Sequence, residues 1–93
     1  MSSHNYIPDK KNRDIFININ GTLLRRNEAK ISVFDSGFLL GDGVWEGIRL
    51  HKSKLVFISE HLDRLFNSAR GISLNIPLSK DEIIFEIEKI LLK

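Results

Sequence analysis

Apolar and polar residues near the start of the chain follow a pattern that predicts a β-hairpin. The apolar run 15–19 and the run 22–24 are separated by Asn20 and Gly21. Both of these residues tolerate the positive φ angles of a type I′ turn, so Asn-Gly between two such runs is a strong hairpin signal. Residues 1–14 are polar, contain a proline and show no periodicity, which predicts a loose, disordered tail.

A second hairpin is predicted in the middle of the chain. Residues 44–51 alternate as a strand does, residues 51–54 are polar and turn-like, and the apolar run 55–58 supplies the returning strand. Before this hairpin, residues 31–34 are predicted to be a short strand or an extended segment. Residues 35–43 contain three of the six glycines and are predicted to form a loop.

A first helix is predicted after the second hairpin. Ser59 is a good N-cap, and Gly71 is expected to be the left-handed residue at the helix end. The apolar stripe of this helix has the spacing i, i+3, i+4 and i+7, and its members are Leu62, Leu65, Phe66 and Ala69.

A second helix is predicted to start at the capping box formed by Ser79 and Glu82 and to run to about Leu92. Its apolar stripe consists of Ile83, Ile84, Ile87, Ile90 and Leu91. Phe85 and Leu92 lie off this stripe, which predicts a further packing partner for the helix. Together, these elements predict one small α/β (α+β) domain over residues 15–93, with antiparallel hairpins and two packing helices.

The predicted strand 44–51 has one face that is a candidate binding surface. Trp45, Gly47, Arg49 and His51 share this face, while the opposite face is mostly apolar. Because Gly47 has no side chain, it leaves a gap between an aromatic ring and a cation, which suits a flat or anionic small molecule. The alternative is a partly exposed face, with Trp45 filling the core and Arg49 in solvent.

The first helix carries a polar row opposite its apolar stripe. His61, Arg64 and Ser68 form this row at i, i+3 and i+7. Such a row is either a solvated helix face or a cationic, donor-rich surface for an anion such as phosphate.

Composition excludes several classes of function. The chain has 93 residues, of which 42% are hydrophobic and 28% charged, as in an ordinary soluble protein. Its 14 basic and 12 acidic residues are interspersed, so no basic stripe indicates nucleic-acid binding. The absence of cysteine excludes disulfides and thiolate metal sites, and His4, His51 and His61 match no metal-ligand spacing. No apolar run reaches the ~20 residues of a membrane span, and no signal peptide is evident, which favours a cytoplasmic protein.

Two segments of the sequence resemble a known enzyme family. NGTLLRRNEAKISVFDSGFLLGDGVWEGIRL, followed by LVFISEHLDRLFNSA, is similar to the N-terminal part of the fold-type IV pyridoxal-phosphate (PLP) enzymes. These include the branched-chain and D-amino-acid aminotransferases and aminodeoxychorismate lyase. The resemblance covers roughly residues 15–90 and implies the small domain of the two-domain, D-amino-acid aminotransferase-like fold. It also implies transfer of an amino group between an amino acid and a 2-oxo acid, in a homodimer.

The resemblance implies roles for five residues. Arg64, in the HLDRL segment, would bind the cofactor phosphate. Trp45 would lie beside the cofactor and substrate, where relatives usually have Phe or Tyr, and Gly47 and Arg49 would border the same pocket. Leu40 stands where some branched-chain enzymes have a tyrosine, which favours the D-amino-acid or lyase-like branches, whereas the EGIR segment favours the branched-chain ones.

No catalytic residue is assigned, because the Schiff-base lysine of the family lies in the larger C-terminal domain. None of the eight lysines of this chain stands in its motif, and the chain reads as truncated. We therefore expect the isolated 93 residues to be inactive. The alternative is a non-catalytic module without turnover, which pairs with a partner through exposed apolar surface.

Overall fold

A computed structural model describes residues 14–93, so that the predicted tail lies outside the described residues except for Asp14. The predicted mixture of antiparallel hairpins and helices is confirmed. The elements in chain order are β1 (Phe16–Ile19), β2 (Thr22–Arg25), a 3-10 turn (Arg26–Glu28), α1 (Ser36–Leu40), β3 (Leu50–His51), β4 (Lys54–Leu55), α2 (Ile58–Gly71) and α3 (Lys80–Leu91).

The chain forms two compact units. The first unit contains the described residues up to Lys30 together with Asp81–Lys93, and the second unit contains Ile31–Lys80. The first unit therefore holds β1, β2 and most of α3, and the second holds α1, β3, β4 and α2. Among the described residues, no helix is both long enough and apolar enough to cross a membrane.

The hairpin of the first unit is the one that the Asn-Gly signal predicts. Strands β1 and β2 pair in antiparallel register from Phe16 opposite Arg25 to Ile19 opposite Thr22. Asn20 has a φ of 53° and Gly21 a φ of 89°, the positive values that a type I′ turn requires at both central positions. The predicted turn chemistry is confirmed.

A polar cluster joins this hairpin to α3 within the first unit. The amide of Asn18 donates to Oε1 of Glu86 at 2.9 Å, and Lys89 Nζ lies 2.8 Å from the same oxygen. Lys89 also donates to the backbone oxygen of Gly21 at 3.0 Å. The predicted stripe of α3 is largely half-buried, while Phe85 and Leu92 lie off the stripe, as predicted, and are exposed. The further packing partner expected for them stays a prediction.

The second unit departs from the prediction at its start. Residues 35–43 were expected to form a loop, but they contain the short helix α1. Asp35 caps this helix by accepting a hydrogen bond from the backbone N–H of Phe38 at 3.2 Å, and Gly41, with a φ of 74°, ends it. The preceding residues 31–34 form no strand, because the Ser32 hydroxyl accepts from the N–H of Phe34 at 3.0 Å and a local turn results.

The second hairpin is much shorter than predicted. Only Leu50 and His51 pair as strands with Lys54 and Leu55. Residues 44–49 lie outside the strand, although the backbone N–H of Val56 still donates to the carbonyl of Arg49 at 2.8 Å. The reason lies in the returning segment: Phe57 adopts a left-handed φ of 54°, and α2 begins immediately afterwards. The alternation itself is confirmed, since even-numbered residues from 44 to 48 are half-buried and the odd-numbered residues between them are exposed.

Helix α2 begins two residues earlier than predicted. Its N-cap is Phe57, whose side chain makes no capping hydrogen bond, and Ser59 lies in the first turn. At the other end Gly71 is the last helical residue, and the left-handed position falls at Ser73, with a φ of 57°. The apolar stripe is confirmed, because Leu62 and Ala69 are buried, with Leu62 only 1% exposed, and the other two members are half-buried.

Candidate functional site

The strongest polar constellation of the second unit is centred on the carboxylate of Glu46. Arg64 donates from Nε to Oε2 at 2.8 Å and from Nη2 to Oε1 at 2.7 Å. His61 Nδ1 lies 2.6 Å from Oε1. The Glu46 side chain is 9% exposed. We call these three residues the Glu46 cluster.

Local structure explains how these side chains meet. Residues three apart on a helix lie on the same face, so His61 and Arg64 of α2 point in one direction. Glu46 lies in the extended segment 44–49, at one of its half-buried, even-numbered positions. A carboxylate that is nearly removed from water must be paired and hydrogen-bonded, and the polar row of α2 supplies both kinds of partner.

The carboxyl of Glu46 and the guanidinium of Arg64 are both charged at neutral pH. The Arg64 guanidinium, and after it the His61 ring, lowers the pKa of the Glu46 carboxyl from 4.5 to about 2, against a smaller opposing effect of burial. The same hydrogen bonds raise the pKa of Arg64. Because an ionised carboxylate only accepts hydrogen bonds, a proton on Nδ1 lets His61 act as its donor.

The guanidinium of Arg64 is only partly used by this pairing. It has five N–H groups, two of which donate to Glu46. The Arg64 side chain is 67% exposed, in contrast to its partner. The arginine is therefore held by Glu46 through Nε and Nη2, and Nη2 also lies 3.3 Å from Nδ1 of His61, while most of the side chain is exposed to solvent.

The remaining predicted site residues fall into separate contacts. Trp45 is 84% exposed, and atom Cζ3 of its ring would lie 3.6 Å from a Cβ built at Gly47. The gap predicted at Gly47 is therefore bordered by the indole ring, at ordinary contact distance. Arg49 Nη2 lies 3.3 Å from His51 Nδ1, and Leu40 is exposed at the end of α1. The hydrogen bonds of Arg49 and those of the Glu46 cluster are distinct.

Two outcomes concern the predicted polar row. His61 and Arg64 act together, as predicted, but their anion in this structure is the carboxylate of Glu46, and the exposed Ser68 is not part of the cluster. Glu46 itself was missed, because it was assigned to the apolar face of a strand. The signal was available: a carboxylate between Val44 and Ile48 on an inward face needs a cationic partner, and α2 offered one.

Within residues 14–93, no group of three or more histidine and carboxylate side chains is arranged to hold a metal ion. His4 lies outside the described residues. Within the Glu46 cluster, the exposed guanidinium of Arg64 is the group suited to an anion with several oxygens.

Curated sequences show strong similarity to this chain. A provisionally named branched-chain-amino-acid aminotransferase of Methanocaldococcus jannaschii is 47% identical over 68 residues, which are 73% of this chain and 24% of that protein. The D-alanine aminotransferase of Listeria monocytogenes is 42% identical over 72 residues, or 77% of this chain and 25% of the relative. This chain belongs to the family of the branched-chain and D-alanine aminotransferases. The resemblance predicted from the sequence is thereby confirmed.

A third relative and the extent of the matches complete the comparison. Branched-chain-amino-acid aminotransferase-like protein 1 of Arabidopsis thaliana is 39% identical over 77 residues, which are 83% of this chain and 14% of that protein. The chain thus spans about a quarter or less of the length of these relatives. No protein-family model matches it.

Proposed function

We propose that this chain supplies cofactor-phosphate and substrate-pocket residues to a PLP-dependent aminotransferase. The enzyme would move an amino group between a branched-chain or D-amino acid and a 2-oxo acid. The family membership supports the reaction class, and the relatives' names include both kinds of amino acid. The single observation that carries the site is the exposed guanidinium of Arg64, held in one orientation by Glu46.

Arg64 is the proposed ligand of the cofactor phosphate. Phosphate oxygens are recognised best by a planar guanidinium that donates two parallel hydrogen bonds. Arg64 donates two of its five N–H groups to Glu46, its Nη2 also lies 3.3 Å from His61 Nδ1, and its side chain is largely exposed. These features fit a phosphate, while PLP, when bound, supplies the electron sink for the reaction at the substrate carbon.

The substrate pocket is proposed to involve the exposed residues of the preceding segments. Trp45 presents a flat apolar surface, and Gly47, beside its ring, adds no side chain that would narrow the space. Arg49 provides a cation that could orient a carboxylate, and Leu40 adds an exposed apolar side chain at the end of α1. These residues position and enclose substrate, and no proton transfer is assigned to them.

The role proposed for the chain is that of a small N-terminal domain over residues 15–93. The resemblance to fold-type IV enzymes supports this role and also a homodimer as the complete enzyme. The Schiff-base lysine of the family is not among the eight lysines of this sequence. We therefore expect the 93 residues by themselves to show no transamination.

The decisive experiment is a titration of the purified chain with PLP, followed by two-dimensional NMR that includes the arginine Nε–Hε signals. We expect Arg64→Ala to weaken binding ~10-fold or more, because charge-assisted hydrogen bonds to phosphate are lost. Arg70→Ala is the matched control, since Arg70 is an exposed arginine of the same helix that pairs with Asn67. If Arg64→Ala binds PLP as tightly as the wild type does, the proposed role of Arg64 is wrong.

The expected inactivity is tested with the same purified chain. It is incubated with PLP, a 2-oxo acid, and either D-alanine or a branched-chain amino acid, and the product amino acid is measured by chromatography. No product above that of a protein-free reaction containing PLP is expected. Turnover that depends on the protein would show that a lysine of this chain performs the chemistry.

A further inference from the structure

The Glu46 cluster is asymmetric in a way that an ordinary surface ion pair is not. Its carboxylate is 9% exposed, whereas the guanidinium is 67% exposed. Both oxygens of Glu46 accept from Arg64, so the guanidinium is bound along the edge formed by Nε and Nη2. Nη2 also lies 3.3 Å from Nδ1 of His61, so the outer edge available to a ligand is the one that includes Nη1.

We propose that Glu46 is a positioning residue: it fixes the guanidinium of Arg64 so that the outer edge binds the phosphate of the cofactor. This inference rests on the proposed function of Arg64. Glu46 itself makes no contact with the phosphate and would act only through Arg64.

His61 makes the positioning rigid. Its Nδ1 lies 2.6 Å from Oε1 of Glu46 and comes from the same helix as Arg64, one turn earlier. The carboxylate is therefore held by two side chains of α2, and it cannot follow a movement of Arg64 without breaking its bond to His61. A long, flexible arginine is ordered before the ligand arrives, so less rotamer freedom is lost on binding.

The sign of the effect separates positioning from simple electrostatics. Glu46 is negatively charged and close to the proposed phosphate, so that removing its charge should strengthen anion binding by Coulomb's law alone. If Glu46 positions Arg64, the removal weakens binding instead. The two explanations therefore predict opposite changes in the same dissociation constant.

The test compares Glu46→Gln with the wild-type chain in NMR titrations with PLP and, separately, with inorganic phosphate. We expect Glu46→Gln to weaken PLP binding about three- to tenfold, because the two charge-assisted hydrogen bonds that orient Arg64 are lost. Glu60→Gln is the matched control, since it removes the same charge from an exposed residue of the first turn of α2. We expect its dissociation constant to stay within about twofold of the wild-type value.

A second measurement needs no variant and remains valid if Glu46→Gln fails to fold. Solvent exchange of the Arg64 Hε proton is compared with that of Arg70 in the wild-type chain. We expect Arg64 Hε to exchange more slowly, because it is donated to Glu46. Equal exchange rates would show that the guanidinium is not held, and the inference would be overturned.

The outcomes distinguish this inference from the function on which it rests. If Arg64→Ala binds PLP normally, the proposed function fails. If Arg64→Ala loses binding but Glu46→Gln binds equally well or more tightly, Arg64 keeps its role and Glu46 is not a positioning residue. Weaker binding by both variants, with normal binding by Glu60→Gln, supports both proposals.

Discussion

The two units of this protein each contain a glutamate paired with a cation from a helix, but they use the cation differently. In the first unit, the Lys89 ammonium lies 2.8 Å from Oε1 of Glu86 and donates to the backbone of the hairpin turn. In the second unit, the Arg64 guanidinium binds Glu46 along one edge and is exposed along the other.

The contrast shows how similar ion pairs can serve packing or binding. Lys89 joins two elements of its own unit, since its partners lie on α3 and at the tip of the β1–β2 hairpin. The remaining oxygen contacts of Glu86 come from Asn18 of the same hairpin. Arg64 has more donors in a fixed plane, so that one carboxylate can orient it while other donors stay available. Both units contain an ion pair, so the candidate site differs from the Lys89–Glu86 pair in the number of donors and the exposure of its cation.

The largest predicted effect compares the helices that carry the two cations. Leu62 of α2 is 1% exposed, whereas no side chain of α3 is fully buried. We expect Leu62→Ala to lower the free energy of unfolding by about 2–5 kcal/mol, because it leaves a cavity in the buried stripe. Ile87→Ala, at a half-buried position of α3, should cost less. Urea unfolding measures both, and equal losses would show that the difference in burial does not decide stability.

The next prediction concerns the titration of the two glutamates. The Glu46 carboxyl should titrate with a pKa of about 2, and Arg64→Ala should raise that pKa more than His61→Gln does, since Arg64 is the larger cause. The pKa of Glu86 is also lowered, first by Lys89 and then by Asn18. Lys89→Ala should therefore raise the pKa of Glu86 and leave that of Glu46 unchanged. NMR of the side-chain carboxyl carbons gives each value.

The lowered pKa of Glu46 also predicts how the free energy of unfolding changes with pH. The pKa of Glu46 is lower in the folded state than its ordinary value of 4.5. The ionised carboxylate therefore stabilises the folded state fully above a pH of about 4.5, and this stabilisation is lost as the pH falls towards about 2. Glu46→Gln should flatten the rise in unfolding free energy across that window. A rise that is as steep in Glu46→Gln as in the wild type would contradict the assignment to this residue.

The smallest predicted changes in stability come from substitutions in the two hairpin turns. Gly21 has a φ of 89°, and a Cβ built there would meet Oε1 of Glu86 at an ordinary 3.8 Å. Backbone strain therefore determines the cost of Gly21→Ala, about 1 kcal/mol or more. In the other turn, Ser53 adopts a φ of 63° without being glycine. Ser53→Gly should have the opposite sign, a gain of about 0.5 kcal/mol, and thermal unfolding of both variants checks the pair.

The parts of the fold that local signals specify were predicted well from the sequence. The Asn20-Gly21 turn, the stripe containing Leu62 and Ala69, and the start of α3 just after Ser79 all agree with the structure. Each depends on residues close together in the chain, through turn preferences, helical periodicity or capping.

The wrong predictions have separate causes. The long second hairpin was expected from an apolar run, but the left-handed Phe57 ends its returning strand after Leu55. A phenylalanine is not a residue whose type indicates a positive φ. The helix at 36–40 was missed because its glycines suggested a loop, whereas the side chain of Asp35 caps it.

For the candidate site, the sequence pattern identified Arg64, Trp45, Gly47 and Arg49 as candidates. The resemblance of two segments to the aminotransferase family added Leu40. The pattern also indicated that Arg64 belongs to a donor-rich row that suits an anion. Only the tertiary structure revealed that the first anion in reach of that row is Glu46, 18 residues earlier in the chain. The physical reason is that an ion pair between distant segments depends on where the backbone returns, which periodicity does not specify. Because the Glu46 side chain is nearly buried and the Arg64 side chain is largely exposed, Arg64 can be held by Glu46 and still be reached from solvent.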